Sequence, residues 1–489
     1  MKYGKKTDTS YHVSREVEPP QKDIEKIARI KEIYSYIDRK KKRRQTNKVL
    51  HCHPSPLFWR EHDIPLKQIM ERRKKDLVKV PKRLNLYVSI PYCLRTSPEG
   101  CGYCLFPHED YSGTEALDTY LEYLRKEGRM FRDFFSDDEL AVIYFGGGTP
   151  NICKADTYPR LMEIIEEVFP NIPKEIEITL EGTPQLFNWE KLIRMKEAGI
   201  NRISIGVQQL NDELIKFSGR KQNSRMVFQV LEWCNELGLR TSVDLIFGWP
   251  RQTVKLMLKD LEAIVGTGIT HITHYELNLG GRTDFARNKK DILPTIEQNL
   301  EMFHAAKQFL ESEGYCQVST YDWEKTTAKQ SGHFAFEDNM RHFFMYSEDQ
   351  GITGTDMWGW GFAGVSYFVG TPDTPGCVYM NSITVKDYIA SLDKGHYPIE
   401  RGYIYRNVDV RLGWLFQSLQ SIKIELKAYK AIFGIDLLAE YDPIWHVLSE
   451  LKWVDVTSEK ILLIGDGIYF TPLIQTLLAS KRNEELRMM

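Results

Sequence analysis

The central part of the chain alternates apolar runs of strand length with amphipathic segments of helix length, joined by short polar connections. Helical periodicity occupies 115–134, 156–169, 189–198, 212–217 with 224–237, and 253–265, followed by 295–313. The apolar runs lie before and between these segments, at 84–90, 140–145, 175–180, 202–207, 241–247 and 271–277. This alternation predicts an α/β fold of parallel strands with right-handed crossovers. Six strands fit an open, partial (βα)6 TIM-like barrel.

The sequence on either side of the barrel has a different pattern. Residues 21–44 predict a helix, and the prolines after it predict an irregular linker; the apolar stripe of the helix is Ile24, Ile27, Ile30, Tyr34 and Ile37. Beyond residue 320 the chain becomes rich in glycine and aromatic residues. It then predicts helices followed by a hairpin at 453–470, as in a winged helix. We therefore predict three parts: a basic helical N-terminal arm and linker at 1–83, the barrel at 84–320, and a helical, winged-helix-like cover domain at 321–489.

Length and composition favour a well-packed globular protein of more than one domain. The 489 residues are 42% hydrophobic and 12% aromatic. No apolar run reaches the roughly 18 residues that a membrane-spanning helix needs. The N-terminal residues lack the apolar stretch of a secretory signal. We expect a monomeric protein of the cytoplasm, without a membrane span.

The formal net charge of −2 hides an asymmetry along the chain. Residues 1–84 carry 24 Lys and Arg against 11 Asp and Glu, whereas residues 85–489 carry 41 against 56. Such a basic arm either packs as a solvated helix on its own acidic body, or meets an acidic substrate, a nucleic acid or a membrane surface. The C-terminal hairpin lacks a dense face of Lys and Arg, which argues against nucleic acid as a partner.

Three cysteines follow the first apolar run of the barrel, at Cys93, Cys101 and Cys104. Three thiolates can hold three irons of a 4Fe-4S cluster and leave the fourth iron open, whereas structural zinc requires four protein ligands. Zinc is the alternative, with His108 or the segment 51–53 completing a tetrahedron. The other five cysteines stand singly at 52, 153, 234, 316 and 377, as expected of buried reduced thiols.

Polar residues follow several of the predicted strands at their carboxyl ends. Three glycines at 146–148 follow the second run, Glu181 follows the third, and Gln208 follows the fourth, with Arg220 shortly after it; Asp244 lies on the fifth. The carboxyl ends of barrel strands share one rim, where reactive sites lie. The sequence therefore predicts a long, polar, zwitterionic ligand across the mouth of the barrel.

These motifs resemble a known family. The cysteine segment, the triple glycine, Glu181, the runs 201–208 and 243–250, and the Gly219-Arg220 pair are similar to those of radical S-adenosylmethionine (radical SAM) enzymes. Within that superfamily they resemble the oxygen-independent coproporphyrinogen III oxidase-like (HemN-like) group. The resemblance covers about 84–320 and continues more weakly towards the C-terminus.

The resemblance implies a role for each matching residue. Cys93, Cys101 and Cys104 would hold a 4Fe-4S cluster whose open iron binds the methionyl group of SAM, and with Glu181 they would form the catalytic set. An electron donor such as flavodoxin or ferredoxin would supply the electron that cleaves SAM to a 5'-deoxyadenosyl radical. The SAM-binding set would be Tyr87, Tyr103, Phe106, Gly147, Gly148, Thr149, Glu181, Gln208, Arg220 and Asp244.

Three departures from the family pattern bear on the reaction. Seven residues separate Cys93 from Cys101 where the family has three, so we expect the insertion to loop outward. Phe106 and Ser89 stand where the oxidase has a cysteine and a histidine. We therefore expect methyl or methylene transfer to an sp2 carbon of an aromatic, quinone or tetrapyrrole substrate, with one SAM molecule or two.

Two alternatives to methyl transfer remain. One is oxidative decarboxylation of the coproporphyrinogen oxidase type, or other tetrapyrrole chemistry. The other is a haem chaperone, a binding protein for which His333, His342 and Cys377 are candidate haem ligands. The stretch 359–364 fits the GxGxxG pattern but lacks a surrounding βαβ unit, so we interpret it as a packing loop. Trp358 and Trp360 are candidates for stacking on a flat substrate.

Overall fold

The computed structural model describes residues 21–44, 52–135, 137–330, 334–340 and 343–489. The strands are β1 Lys82–Ile90, β2 Tyr92–Cys93, β3 Glu109–Asp110, β4 Leu140–Gly147, β5 Glu177–Gly182, β6 Arg202–Gln208, β7 Arg240–Phe247, β8 His271–Glu276, β9 Tyr315–Gln317, β10 Asp322–Lys325, β11 Phe344–Ser347, β12 Gly351–Trp360, β13 Val365–Gly370, β14 Pro375–Asn381, β15 Ile399–Ile404, β16 Lys423–Glu425, β17 Val454–Val456 and β18 Lys460–Leu463.

The helices before the last strands of the large sheet are α1 Gln21–Lys40, α2 Leu66–Asp76, α3 Thr114–Phe135, α4 Thr157–Glu166, α5 Trp189–Glu197, α6 Asp212–Ile215, α7 Ser224–Glu236, α8 Val254–Val265, α9 Asp284–Asn288, α10 Ile296–Ser312, α11 Thr326–Gln330 and α12 Ala335–Met340. Those that follow are α13 Val385–Asp393, α14 Asn407–Gln420, α15 Leu426–Phe433, α16 Leu437–Glu440, α17 Asp442–Glu450, α18 Asp466–Tyr469, α19 Thr471–Leu478 and α20 Ser480–Met488.

Six parallel strands form the partial barrel that the alternation predicted. They lie in the order β1-β4-β5-β6-β7-β8, and each pairs in parallel with its neighbour. Helices between them cover the outer face, so the strands are buried on both sides and read as continuous apolar runs. This confirms the predicted α/β fold class and directs the carboxyl ends of all six strands to one rim.

The helices of the barrel begin where the sequence supplies a cap. Asn188 and Asn223 accept hydrogen bonds from the first turns of α5 and α7, and Thr253 does so for α8. These side chains satisfy backbone N–H groups that have no partner inside the helix. Each of these three helices therefore begins at a defined residue.

A charged plug closes the opposite end of the barrel, where the strands begin. The buried Arg202 on β6 donates to Glu177 at 3.1 Å, and it contacts both carboxylate oxygens of Glu337 on α12. The ring of Phe334 lies 4.7 Å from the guanidinium. Glu177 also accepts hydrogen bonds from the backbone N–H groups of residues 335 and 336, so α12 is tied to the sheet.

The large sheet continues past the predicted boundary at residue 320. Strand β12 pairs in parallel with β1 on the side away from β4, and β13, β14 and β15 extend the sheet from there. The thirteen strands therefore form one continuous sheet, and the predicted division at 320 remains a prediction. The short strands β16, β18 and β17 form a second sheet beside the last helices, in the place of the predicted wing.

The loop at 359–364 is a packing element, as the sequence suggested. A Cβ on Gly359 would lie 2.3 Å from the backbone nitrogen of Val365, so the chain folds tightly on itself there. Trp358 and Trp360 are fully buried and stack on each other at 4.7 Å. The expectation that these indoles stack on a substrate is wrong, because both faces pack in the core against α3.

The N-terminal helix packs on the C-terminal part of its own chain. Helix α1 lies against α17 and α19, with Ile33 and Ile37 buried in the contact. Lys26 forms a 2.7 Å ion pair with Asp442 on α17. Ile30 and Tyr34 of the predicted stripe also pack against the core, whereas Ile27 is 48% exposed, and the side chain of Ile24 lies outside the described residues.

Among the described residues, no helix is long and apolar enough to cross a membrane.

Replacing Arg202 with Met should destabilise the fold strongly. The substitution leaves the buried Glu337 without its cation and leaves Glu177 only the more distant Arg240 at 3.6 Å, which costs about 3–5 kcal/mol of unfolding free energy. Arg194→Met is the matched control, because its partners are exposed and such pairs contribute about 0–1 kcal/mol. Urea denaturation followed by tryptophan fluorescence measures both, and similar midpoints for the two variants would contradict this account of the plug.

Candidate active site

The second cysteine lies in an unusual turn at the rim of the barrel. Gly100, Cys101 and Gly102 have φ values of 60°, 55° and 73°, so three successive residues adopt the left-handed conformation. This conformation is costly for cysteine, and residues held in it concentrate at functional sites. The backbone N–H of Cys101 donates to the hydroxyl of Thr96 at 3.0 Å, which holds the turn in place.

We had expected the insertion between the first two cysteines to loop outward. Instead, it packs against the barrel rim. A Cβ on Gly219 would lie 2.3 Å from the carbonyl oxygen of Ser97, so the inserted backbone rests directly on the turn before Arg220. The longer spacing is therefore accommodated by a close contact with the barrel rim. Just after Cys101, a Cβ on Gly102 would lie 2.8 Å from the ring of Phe285 on α9, so the turn itself also packs on the rim.

The cysteine sulfurs meet polar groups from other strand exits. The hydroxyl of Thr149 donates to Cys93 Sγ at 3.3 Å, and Arg220 Nε donates to Cys101 Sγ at 3.5 Å. Burial raises the pKa of Cys93 to about 12 and that of Cys104 to about 11, and repulsion from neighbouring thiolates adds to both shifts. Buried thiols whose thiolates repel one another favour a bound cation, because metal binding lowers the pKa of a thiol.

The donor set fits an iron–sulfur cluster better than a zinc ion. Within the described ranges, no three His, Cys, Asp or Glu side chains lie close enough to share one metal ion. A 4Fe-4S cluster spreads its cysteines further apart than a single ion does, because each thiolate binds a different iron. Of the histidines considered for zinc, His51 lies outside the described residues, and His53 is buried against Asp409 at 3.1 Å, in another part of the fold.

The triple glycine serves the contact between two strands. A Cβ on Gly146 would lie 2.4 Å from the Tyr87 hydroxyl, one on Gly147 would lie 2.6 Å from Ser89 Oγ, and one on Gly148 would lie 2.8 Å from the carbonyl oxygen of Tyr92. The turn after β4 therefore lies directly against the exit of β1. This close approach brings Thr149 to Cys93, a reason for the glycines that the sequence did not reveal.

Two carboxylates face the mouth without a protein partner. Neither Glu181 nor Asp244 forms a hydrogen bond or ion pair with any residue in the described parts of the chain. Burial raises the pKa of Glu181 to about 7, although the Arg220 guanidinium acts in the opposite direction. Burial, with repulsion from Glu181, raises the pKa of Asp244 well above its usual range. Both side chains are half-buried, so a cationic or hydroxyl-bearing ligand can reach them.

Arg220 connects the cysteine turn to the rim. Its Nη1 donates to the carbonyl oxygen of Gly206 at 2.7 Å, and its guanidinium lies 5.9 Å from the centre of the Tyr103 ring. Gln208 is next to this contact in a bulge of β6, with φ of 66°. The bulge turns the Gln208 side chain back towards Gly206, and so towards the mouth.

The aromatic members of the predicted set divide into buried and exposed rings. Tyr103 packs edge-on against Trp249 at 5.0 Å, and Tyr87 stacks on Tyr144 at 5.6 Å. Phe106 is 50% exposed, so the structure places it at the outer edge of the site. The stack continues from Tyr144 to Phe336 at 4.2 Å, and no local pattern predicts that contact because α12 comes from a distant part of the chain.

Comparison with known proteins supports one family. Residues 88–264 match the model of the radical SAM superfamily. The chain is 31% identical over 240 residues to the haem chaperone HemW of Buchnera aphidicola, which covers 49% of this chain and 62% of that protein. It is 27% identical over 402 residues to the oxygen-independent coproporphyrinogen III oxidase of Helicobacter pylori, which covers 79% and 82%. The match therefore spans less than two thirds of HemW and most of the oxidase.

A solved structure shows the same fold. The coproporphyrinogen III oxidase HemN of Escherichia coli superposes with a TM-score of 0.73 over 89% of this chain and 99% of that one, at 22% identity. At this identity the likeness supports the fold alone. A radical SAM domain implies a 4Fe-4S cluster and SAM, and the donor set described above fits both.

The relatives do not support the methyl transfer that we had expected. Their names are those of oxidases and haem chaperones. Of the candidate haem ligands, Cys377 on β14 is fully buried between strands, where a haem cannot reach it. His333 and His342 lie outside the described residues. The chaperone alternative therefore has no described ligand among the three candidates.

Gly219→Ala should impair iron binding, because the new methyl group would collide with the insertion that carries Cys101. Gly238→Ala is the matched control: Gly238 has a similar φ of 65° with nothing within 4 Å of a Cβ, so the backbone cost alone is about 1–2 kcal/mol. Iron bound per chain after anaerobic reconstitution should fall in the first variant and stay at the wild-type level in the second. Full iron loading of Gly219→Ala would show that the insertion can move without loss of the site.

The family match covers the part of the chain that forms the rim. Cys93 and the glycine turn lie within 88–264, as do Glu181, Arg220 and Asp244. The fold outside that range also follows the oxidase. The chain thus carries a radical SAM domain at 88–264, and it is similar to the oxygen-independent coproporphyrinogen III oxidase-like (HemN-like) proteins and to HemW.

Proposed function

We propose that this protein cleaves SAM reductively at a 4Fe-4S cluster held by Cys93, Cys101 and Cys104, and uses the product to abstract hydrogen from a tetrapyrrole. The observation that carries the proposal is the pair of unpartnered carboxylates, Glu181 and Asp244, beside the three thiols. When bound, the cluster supplies one electron to SAM, whose cleavage gives methionine and a 5'-deoxyadenosyl radical.

The charges at the mouth complement those of SAM. Glu181 lies where the ammonium of the methionyl group can pair with it, and Arg220 offers a cation to the carboxylate of the same group. Asp244 and Gln208 lie on the next strands along the rim, in reach of ribose hydroxyls. Each pairing offsets the free-energy cost of burying a charged or polar group without a partner.

The surrounding side chains position the ligand and exclude water. Tyr87 and Tyr103 border the mouth with rings that are held by other aromatic residues, so their faces are fixed before SAM binds. Burial raises the pKa of both phenols far above neutrality, so both stay uncharged. A dry, preorganised mouth protects a reactive species from side reactions with solvent.

The choice of a tetrapyrrole rests on the relatives and their coverage. The oxidase of Helicobacter pylori matches 79% of this chain, whereas HemW matches 49%. We therefore favour oxidase-type chemistry over the chaperone role. Ser89 is buried with its hydroxyl beside Gly147, so the first strand offers no histidine to the substrate.

Haem binding is the second candidate, favoured by the 31% identity to HemW. It predicts a protein that binds haem without consuming SAM. The two candidates share the barrel and differ in what reaches its mouth.

Anaerobic incubation of the reconstituted, reduced protein with SAM and coproporphyrinogen III tests the proposal. We expect 5'-deoxyadenosine and a decarboxylated tetrapyrrole by mass spectrometry, and Cys93→Ala should produce neither. S-adenosylhomocysteine together with 5'-deoxyadenosine would instead indicate methyl transfer. A stable haem complex with no cleavage of SAM would favour the chaperone.

SAM binding should depend on pH through Glu181. Because burial raises the pKa of Glu181 to about 7, the carboxyl is neutral below that pH and cannot pair with the ammonium of SAM. The affinity should weaken by about tenfold per pH unit below pH 7 and level off above it. Isothermal titration at pH 6 to 8.5 measures this.

Glu181→Gln should bind SAM weakly and with a flat pH profile. Glu190→Gln is the control, because Glu190 is exposed on α5 and should keep the wild-type profile. A wild-type profile in Glu181→Gln would assign the titration to another group.

A further inference from the structure

The cysteine turn reaches the protein surface beside an apolar edge. Leu94, Leu105 and Phe106 flank the cysteines and are 38%, 47% and 50% exposed. Leu105 packs on the backbone of Gly280, where a Cβ would lie 2.1 Å from it. The segment that follows Gly280 therefore begins directly at the cysteine loop.

A group of cations lies in the segments next to this edge, and we name this group the basic collar. Its members are Lys221, Arg251, Arg282, Arg287, Lys289 and Lys290. Two contacts tie the collar to the cysteine loop: Phe285 on α9 lies against Gly102, and the turn at Gly219 lies against Ser97. The segments that carry the collar therefore contact the cysteine loop where it reaches solvent.

The collar has an excess of unpaired positive charge. None of its six side chains forms an ion pair with a carboxylate in the described parts of the chain, although many other surface cations of the protein do. Between 282 and 290 there are four cations and one carboxylate, that of Asp284. The Arg251 guanidinium and the Lys289 ammonium lie 5.8 Å and 5.6 Å from the centre of the same ring, that of the half-buried Phe217.

The surrounding protein makes this excess unusual. Residues 85–489 carry 41 Lys and Arg against 56 Asp and Glu, so the collar is a basic area on an acidic body. An acidic partner is repelled by most of the surface and attracted here. Such a charge pattern sets the orientation and the rate of encounter more than the final affinity.

We propose that the basic collar docks an acidic one-electron carrier protein, of the flavodoxin kind, which reduces the cluster. The inference rests on the proposed function, because it names the partner of the same cluster. The carrier loses one electron and the cluster gains it, so no other reactant is required. The apolar residues Leu94, Leu105 and Phe106 supply a small dry contact at the centre, and the collar supplies the rim, as in other weak redox encounters.

Charge reversal at the collar tests the proposal. Arg282→Glu combined with Lys290→Glu places two acids on the collar without touching the cysteines or the SAM-binding set, and an acid before α9 suits the start of that helix. Lys174→Glu combined with Lys430→Glu is the matched control. Both control lysines are exposed, and Lys174 precedes β5 at the opposite end of the barrel.

Two measurements separate docking from chemistry. The first is binding of an acidic flavodoxin to the reconstituted protein at low ionic strength, by fluorescence anisotropy, which needs no turnover. The second is the rate of 5'-deoxyadenosine formation, driven either by reduced flavodoxin or by dithionite. We expect the collar variant to lose about tenfold or more in flavodoxin affinity and in flavodoxin-driven rate, and the loss should shrink as salt is added. The dithionite-driven rate should match that of wild type and control.

Several results would overturn the proposal. These are flavodoxin binding within about twofold of wild type, which is a negligible effect for two reversed charges, an equal loss with dithionite, or equal affinity of the collar for flavodoxin and a short single-stranded RNA. If wild type bound flavodoxin through the collar but cleaved no SAM with either reductant, the proposed function would fail and the docking surface would stand.

Discussion

The position of Cys93 after β1 depends on a close contact between the exit of β1 and the turn after β4. That contact is possible only because the residues of the turn are glycines, which have no Cβ. At Gly146, Gly147 and Gly148 a Cβ would lie within 2.4–2.8 Å of atoms from the first strand and its exit. Atoms cannot approach this closely, so any larger residue would separate the two strand ends. The contact brings the Thr149 hydroxyl to Cys93 Sγ and so sets the position of Cys93 at the rim.

The two ends of the barrel treat buried charge in opposite ways. At the amino end, Arg202 is paired with two carboxylates and covered by a ring, so the charges are compensated within the protein. At the carboxyl end, Glu181 and Asp244 have no described partner, and burial raises the pKa of both. Compensated charge belongs to structure, whereas uncompensated charge is retained where a ligand completes it. The barrel is therefore stabilised at one end and reactive at the other.

The insertion between Cys93 and Cys101 lies between the barrel rim and the protein surface. It rests on Gly219, and the nearby Leu105 and Phe106 are exposed. Arg220, next to Gly219, contacts Cys101 directly. One short segment thus connects the thiols, the Arg220 guanidinium and the protein surface.

The sequence by itself determined the barrel and most of its rim. Alternation of apolar runs and amphipathic segments located all six parallel strands, as in 202–207 against the observed Arg202–Gln208, because hydrophobic periodicity is a local property. It also located Glu181, Arg220 and Asp244, since strand exits are marked by a change from apolar to polar residues. Only the tertiary structure decided that the insertion packs on Gly219, that β12 continues the sheet beyond β1, and that Phe336 stacks on Tyr144. Those contacts join residues far apart in the chain, and no local pattern of polarity encodes which distant surfaces meet.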